Sequence, residues 1–459
     1  MNPGMVCIIS MSTGHRLISA LMVCVYPPFL IIFSISSMLA KPLSGKQALM
    51  PRMEICLLEM ARFAWLYQNR ALTHVLKLST SIKLVKLYTI LGARPQFIKA
   101  RALSATLKQN PYIHSPHATY QLQEFYIHTN QHSQANMSMD FFKELHLDSP
   151  THTLPKAPNH LSRLEHVGFM FAKLKTICTQ ERPDFILVYG DTNSTLAGSL
   201  IAHFLNIPLI HIEAGLRSDN FNMPEEYNRI ATDKLSTLLF CPTKQVYHTF
   251  KPKPHQKLYF SGDVMLDNVL FYQNHAHPPQ GFEAKNFLFA TLHRASNIDN
   301  QDCLHAIISA LEELAQQIPV FLALHPRTAM ALEKYNLFLK HTHILPPLSY
   351  LETLYMLKHA RLVLTDSGGL QKEAYFCKTP VLILREQSEY QVLIEEGAGV
   401  LVGHDKARII QIAMQSLKEQ PKLSFASMHP FGEGHSASLI LQAIKEHVCY
   451  LESLVLEDL

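Results

Sequence analysis

The chain has 459 residues, 47% hydrophobic and 17% charged, a composition too apolar for disorder and long enough for two or three domains. Its 41 Lys and Arg against 37 Asp and Glu leave a formal charge of +4 with no basic block, so neither nucleic acid nor an anionic membrane surface is indicated as a partner. Eight scattered cysteines, none in C-x-x-C spacing, argue against a disulfide framework or structural zinc and fit a reducing, cytoplasmic compartment.

Taken in chain order, the first segment is residues 1–81. Leu17 to Ala40 is uncharged, mostly apolar and long enough to span a bilayer, but Pro27-Pro28 would break or kink a helix there. A membrane anchor, a signal sequence and an extension ahead of the true start all compete. The weakly basic flank His15-Arg16 fits a signal poorly, and Lys41 to Ser81 carries no assignable motif. A dispensable extension is favoured; membrane contact follows only if residues 17–40 are a real anchor.

From about Ile82, short β-branched runs alternate with helix-period segments, the pattern of a parallel sheet wound with helices on both faces. Leu84 to Leu91 reads as a strand, followed by the turn Gly92-Ala93-Arg94-Pro95 and a helix over Phe97 to Gln109. Phe185 to Tyr189 and Pro208 to Ile212 read as strands with a helix around Thr195 to Leu205 between them, and Phe240 to Thr243 as the last strand of a first domain, 82–262. A second set, in a domain over 263–435, has strands at Phe287 to Leu292, Val320 to Leu324, Arg361 to Thr365 and Pro380 to Leu384. Residues 436–459 read as a terminal helix returning to the first domain. Polar residues gather at the carboxyl ends of these strands, where doubly wound sheets bind ligands.

Asp366-Ser367-Gly368-Gly369 before a helix suits an anion, because glycines admit a phosphate to the backbone and the helix start offers free N–H groups. A purely geometric need for Gly at such a turn is an equal reading on the motif alone. Gly92 to Lys99 is a second strand-to-helix turn without the G-x-G-x-x-G fingerprint, so a dinucleotide is not indicated; Arg94 and Lys99 would suit a diphosphate. Asp191, Glu213 and Glu225-Glu226 follow neighbouring strands, and several converging acids favour acid/base chemistry over salt bridges alone. His293 follows an apolar strand, though 26 histidines make a structural role the default for any one.

Together the stretches GARPQFIKA (92–100), NQHSQANMS (130–138), YGDTNSTLAG (189–198), HIEAGLRS (211–218), MPEEYNRIATD (223–233), TLHRASN (291–297), TDSGGLQKEA (365–374) and REQSEY (385–390) resemble, in order, the non-hydrolysing UDP-N-acetylglucosamine 2-epimerase family. The resemblance implies an α/β fold of two Rossmann-like, glycosyltransferase-B-like domains facing across a cleft. It implies a homodimeric isomerase of surface-polysaccharide biosynthesis working on a UDP-sugar without metal or nicotinamide. It also implies Asp191, Glu213, Glu225 and His293 as the catalytic set, and Arg94, Lys99, Ser367, Gly368, Gly369, Glu373 and Arg385 as UDP contacts. Gln131 and His132 fall in a region that some members use for an allosteric second substrate molecule. Ala295-Ser296-Asn297 and Tyr390 depart from the common pattern and resemble the branch acting on diacetamido-uronic sugar nucleotides. A hydrolysing epimerase, a two-domain glycosyltransferase and a silent nucleotide-sugar binder are the competing functions.

Overall fold

The computed structural model describes residues 82–131, 142, 144–158, 160–221, 223–419 and 429–457, and the backbone of three strands ahead of them. The chain divides into two compact units, Met1–Thr80 and Ser81–Leu459. In the first, β1 (Val6–Gly14), β2 (Leu17–Tyr26) and β3 (Phe29–Ser37) pair antiparallel. The described part of the apolar run therefore lies in two strands. Among the described residues no helix is long and apolar enough to cross a membrane.

The second unit holds two sheets. The first contains β4 (Lys83–Leu91), β5 (Tyr112–His114), β6 (Thr119–His128), β7 (His152–Thr153), β8 (Phe185–Tyr189), β9 (Leu209–Ile212), β10 (Leu238–Cys241) and β11 (Lys257–Phe260). Their order is β11-β10-β9-β8-β4-β6-β5, with β7 beside β6, and every pairing is parallel except β5 with β6. The second contains β12 (Leu288–Leu292), β13 (Val320–Leu324), β14 (His343–Leu345), β15 (Leu362–Thr365), β16 (Val381–Ile383) and β17 (Gly399–Leu401), all parallel in the order β14-β13-β12-β15-β16-β17. All five residues of β8 are buried, as a strand covered by helices on both faces requires. Burying each such side chain is worth about 1.5–3 kcal/mol against leaving it in water.

One boundary differs from the sequence reading. The strand ending at Cys241 is not the last of the first sheet, because Lys257–Phe260 pairs parallel to it. That edge strand is short and only half-buried along its length, so it lacks the continuous apolar run that marks the interior strands.

The first helix after that edge strand, Val264–Tyr272, is capped by Asp263, whose Oδ1 accepts from Met265 N at 2.9 Å. It packs on the helix Arg94–Gln109, where Asn268 Nδ2 donates to Ile98 O at 2.7 Å and Arg101 Nε donates to Tyr272 OH at 3.0 Å. The terminal helix Ser436–Glu457 also lies on elements of the first sheet: Tyr120 OH donates to Glu452 at 2.8 Å and Lys445 Nζ to Tyr112 O at 2.9 Å. At its start, Ser436 N and Ala437 N donate to the Asp267 carboxylate at 3.1 and 2.8 Å.

Candidate functional site

Each sheet has a point where the winding reverses, and the turns of interest sit there. In the first sheet the chain leaves β4 toward β6 and returns to β8 on the other side, so the turns after Leu91 and Tyr189 are neighbours. Buried Gln96 joins them. Its Oε1 accepts from Gly92 N at 2.8 Å and Ala93 N at 3.1 Å, while its Nε2 donates to Tyr189 O and Thr195 Oγ1, both at 3.0 Å. A Cβ on Gly92 would overlap the Ser194 and Thr129 hydroxyls, so only glycine lets the turn close. In the second sheet the reversal lies between β12 and β15, which sets His293 beside Asp366.

Glu213, just past β9, has φ +72, a conformation uncommon for a side-chain-bearing residue and one that costs energy unless its surroundings hold it. Three groups do so. Lys99 Nζ bonds to Oε2, while Lys372 Nζ and Tyr390 OH donate to Oε1 at 2.6 and 2.9 Å. Burial alone would raise the Glu213 pKa, but the Lys372 and Lys99 ammoniums outweigh it and hold the carboxyl well below its usual range. Lys372 is fully buried and also donates to Asp263 Oδ2 at 2.5 Å. Desolvation would lower its pKa; Asp263 and Glu213 reverse that and hold it firmly protonated.

Asp191, after β8, pairs with Arg229 at 2.6 Å. Arg229 also bonds to Glu226 at 2.7 Å and lies 4.0 Å from Glu389 on the opposite domain. Glu226 is fully buried and accepts from Ser218 N and Oγ at 2.9 and 2.8 Å, which makes it a support for Arg229. Glu225, its half-exposed neighbour, approaches Arg294 across the cleft at 3.9 Å.

On the second sheet, buried Asp366 accepts from the backbone N of His293 at 3.1 Å and of Arg294 at 2.9 Å, and lies 3.3 Å from His293 Nδ1. Desolvation draws the imidazole below its ordinary pKa, and Asp366 only partly opposes this. Ser367 is the N-cap of the helix Gly368–Phe376, and open space lies where Gly369 would carry a Cβ. A Cβ on Gly368 would stand 2.6 Å from Glu389 Oε1, so that carboxylate rests against the helix start. Arg385 Nη1 donates to Glu389 at 2.8 Å.

One turn into the same helix, Glu373 is buried and its Oε1 has no hydrogen-bond partner. Burial pushes its pKa up to about 7, although Arg94 and Lys372 pull the other way. Arg94 itself reaches across the cleft, donating through Nη2 to Leu348 O at 3.0 Å.

The carboxyl edges of the two sheets thus meet, and Arg94, Lys99, Asp191, Glu213, Glu225, His293, Ser367, Gly368, Gly369, Glu373 and Arg385 lie in the turns and helices that follow them, with Glu213 and Lys99 bonded into one cluster and Asp191 and Arg385 joined through Arg229 and Glu389 in another. Gln131 bonds to the turn after β8, its Oε1 accepting from Ser194 N and Oγ at 2.9 and 2.6 Å. His132 lies outside the described residues. Sequence reasoning passed over Lys372, Asp263, Glu389 and Arg229 as functional groups, and took Tyr390 only as a mark of the substrate branch. The available signal was a lysine four residues into a helix otherwise facing the core, a placement that demands buried acids. Among the described residues no group of three His, Cys, Asp or Glu is arranged to hold a metal ion.

A family model described as UDP-N-acetylglucosamine 2-epimerase matches residues 115–445. A UDP-2,3-diacetamido-2,3-dideoxy-D-glucuronate 2-epimerase of Pseudomonas aeruginosa is 42% identical over 339 residues, 72% of this chain and 92% of that protein. A UDP-N-acetylglucosamine 2-epimerase of Methanocaldococcus jannaschii is 34% identical over 377 residues, 78% of this chain and 99% of its own length. The crystal structure of the Methanocaldococcus jannaschii enzyme with UDP-GlcNAc and UDP superposes with a TM-score of 0.70, covering 79% of this chain and all 100% of that one. That of the Neisseria meningitidis enzyme bound to UDP-GlcNAc gives 0.69 at 25% identity, covering 79% and 100%.

Proposed function

The chain belongs to the UDP-N-acetylglucosamine 2-epimerase family, and from that premise we propose that it interconverts UDP-N-acetylglucosamine and UDP-N-acetylmannosamine at the cleft described above. It is a UDP-sugar 2-epimerase, an isomerase. The reading rests most on one observation: acids that follow strands of one sheet face, across the cleft, the start of the helix Gly368–Phe376, where open space lies beside Gly369.

The chemistry explains why both halves are needed. The C2 hydrogen of an N-acetylhexosamine is not acidic, since no carbonyl is attached to C2. When the C1–O bond breaks, its electron pair leaves with UDP and the electron-poor C1 makes the C2 proton labile. A carboxylate takes that proton, the C–H pair becomes the C1=C2 double bond, and a glycal with bound UDP results. A second acid returns a proton to the other face, and UDP re-adds to C1. Asp191, Glu213 and Glu225 are the carboxylates we assign to these transfers, with His293 beside the leaving diphosphate. Ser367, Gly368, Gly369, Arg94, Lys99 and Arg385 form the cradle for the departing charge, and Glu373 takes the ribose hydroxyls.

A second reading, a UDP-2,3-diacetamido-glucuronate substrate, is favoured by the relative that is 42% identical. Offering both sugar nucleotides separately and resolving the products by chromatography decides between them; conversion of neither removes the epimerase assignment, and release of free sugar with UDP marks a hydrolysing enzyme.

The homodimer and a cytoplasmic role in surface-polysaccharide synthesis belong to the same proposal. An apolar face supports the dimer: Leu164 is 81% and Phe204 67% exposed, and Phe204 meets Phe171 edge-on at 5.7 Å. Sedimentation equilibrium of Phe204→Glu should show a shift toward monomer, and an unchanged mass would move the interface elsewhere.

A further inference from the structure

We propose that Lys372, held by Asp263 and assisted by Tyr390, is a positioning residue that fixes the Glu213 carboxylate in place and couples it to the helix that receives the diphosphate. The proposal rests on the epimerase reading and extends it to residues that do not themselves touch the sugar.

Three elements converge on the one ammonium. Lys372 rides on Gly368–Phe376, four residues after Gly368 at the start of that helix. Asp263, on its other side, caps the helix Val264–Tyr272, the first element after the first sheet. Glu213 stands at the end of β9 with its backbone at positive φ. The Lys372 Nζ therefore ties the diphosphate helix, the crossing between domains and the candidate acid together. Tyr390 closes the arrangement, its hydroxyl on Glu213 Oε1 and its ring 4.7 Å from the ammonium.

The connectivity argues for positioning over simple structural pairing. With Lys99 counted the cluster is balanced, two ammoniums to two carboxylates, and Lys372 is the group that spans both acids, at 2.5 and 2.6 Å. Asp263 satisfies it at the crossing, and the remaining interaction is directed at a carboxylate that a sugar in the cleft would meet. The charged and titratable groups facing Glu213 are Lys99 from the helix Arg94–Gln109, Lys372 with Asp263 behind it, and Tyr390. With Lys372 gone, Lys99 would still hold Oε2, but Oε1 would keep only the Tyr390 hydroxyl.

The test uses the full-length protein and three variants, Lys372→Met, Lys372→Arg and Tyr390→Phe. Each is measured for UDP affinity by calorimetry, for kcat and KM of epimerisation, and for the pH profile of kcat/KM. Lys372→Met should lose on the order of 10²-fold in kcat, the scale of a misplaced reacting group, with UDP affinity within threefold of wild type. Its acidic limb should move to higher pH, because one of the two cations that keep Glu213 ionised is missing. Lys372→Arg keeps the charge and should recover part of kcat. Tyr390→Phe, which removes a single hydroxyl and leaves the ion pairs, should shift the limb in the same direction by less. A wild type that exchanges while Lys372→Met and Tyr390→Phe keep its kcat and its limb overturns the positioning role. Should Lys372→Met fail to fold, Tyr390→Phe with an unmoved limb is sufficient to overturn it. A wild type without epimerisation of either sugar nucleotide would overturn the epimerase reading and this proposal with it.

Discussion

Glu213→Gln changes one proton-transferring group and little of the shape, and its consequences can be worked out from the contacts. The amide oxygen still accepts one hydrogen bond, but the amide nitrogen must then face an ammonium. Lys372 keeps Asp263 at 2.5 Å, so the stranded charge is chiefly that of Lys99. Breaking a buried pair by removing one partner costs about 3–5 kcal/mol, and the retained Asp263 contact places this variant near the lower end. A fall of several degrees in melting temperature is expected with the fold intact. The chemical step should lose about 10²–10⁴-fold, the usual worth of a positioned acid or base. UDP affinity should largely hold, since of the cradle residues only Lys99 loses a partner and its charge stays in place. The assay follows solvent deuterium at C2 alongside a thermal melt and UDP calorimetry. Wild-type deuterium incorporation in a folded variant would refute the assignment and leave Glu213 as a structural ion pair.

Four further outcomes are expected. Asp191→Asn should likewise bind UDP and lose most deuterium incorporation at C2; its melt should change less, because Arg229 retains buried Glu226 at 2.7 Å. Arg94→Ala should weaken UDP binding in calorimetry, since a charge-assisted donor is lost, and unchanged affinity would remove it from the site. Glu373 has a folded pKa raised to about 7 from 4.5, so it stabilises the ligand-free fold below 4.5 and that contribution is lost as pH rises through 7. Ribose hydroxyls favour the ionised form, so UDP binding should release protons near pH 7 and tighten with rising pH, a signature that calorimetry in two buffers should find abolished in Glu373→Gln. A chain beginning at Ser79 should fold and epimerise like the longer form, because every motif of the site lies beyond Leu84; loss of activity in solution would make residues 1–78 part of the enzyme.

Much of this was legible in the sequence because the strands of a parallel sheet are covered on both faces and read as continuous apolar runs. Phe185–Tyr189 and Val320–Leu324 are strands with the bounds their β-branched and aromatic content suggests. Edge strands were not legible: Lys257–Phe260 is half-buried and β14 has two exposed residues of three, so neither carries a run long enough to notice. The helix after Gly92 starts at Arg94, earlier than its apolar period suggests, because Pro95 presets the first turn and the Gln96 side chain accepts from Gly92 N and Ala93 N, neither of which a periodicity argument sees. Asp191 and Glu213 could be picked out because they follow strand ends, whereas Glu225 opens the helix Pro224–Leu235. Their partners could not. Lys372 and Glu213 are 159 residues apart and Arg229 and Glu389 belong to different sheets, so only the meeting of the two domains pairs them. Tyr390 shows the same limit, since a lone tyrosine after a strand gives no sign that its hydroxyl reaches an acid of the other domain.

The most direct test of the epimerase reading is to incubate the purified protein with UDP-N-acetylglucosamine in deuterated water and follow the C2 position by proton NMR. Loss of the C2 proton signal, with growth of C2-deuterated UDP-N-acetylmannosamine and no accumulation of free sugar, is the expected result. Retention of the C2 proton in both this substrate and the diacetamido-glucuronate analogue, by a folded protein that binds UDP, would contradict it.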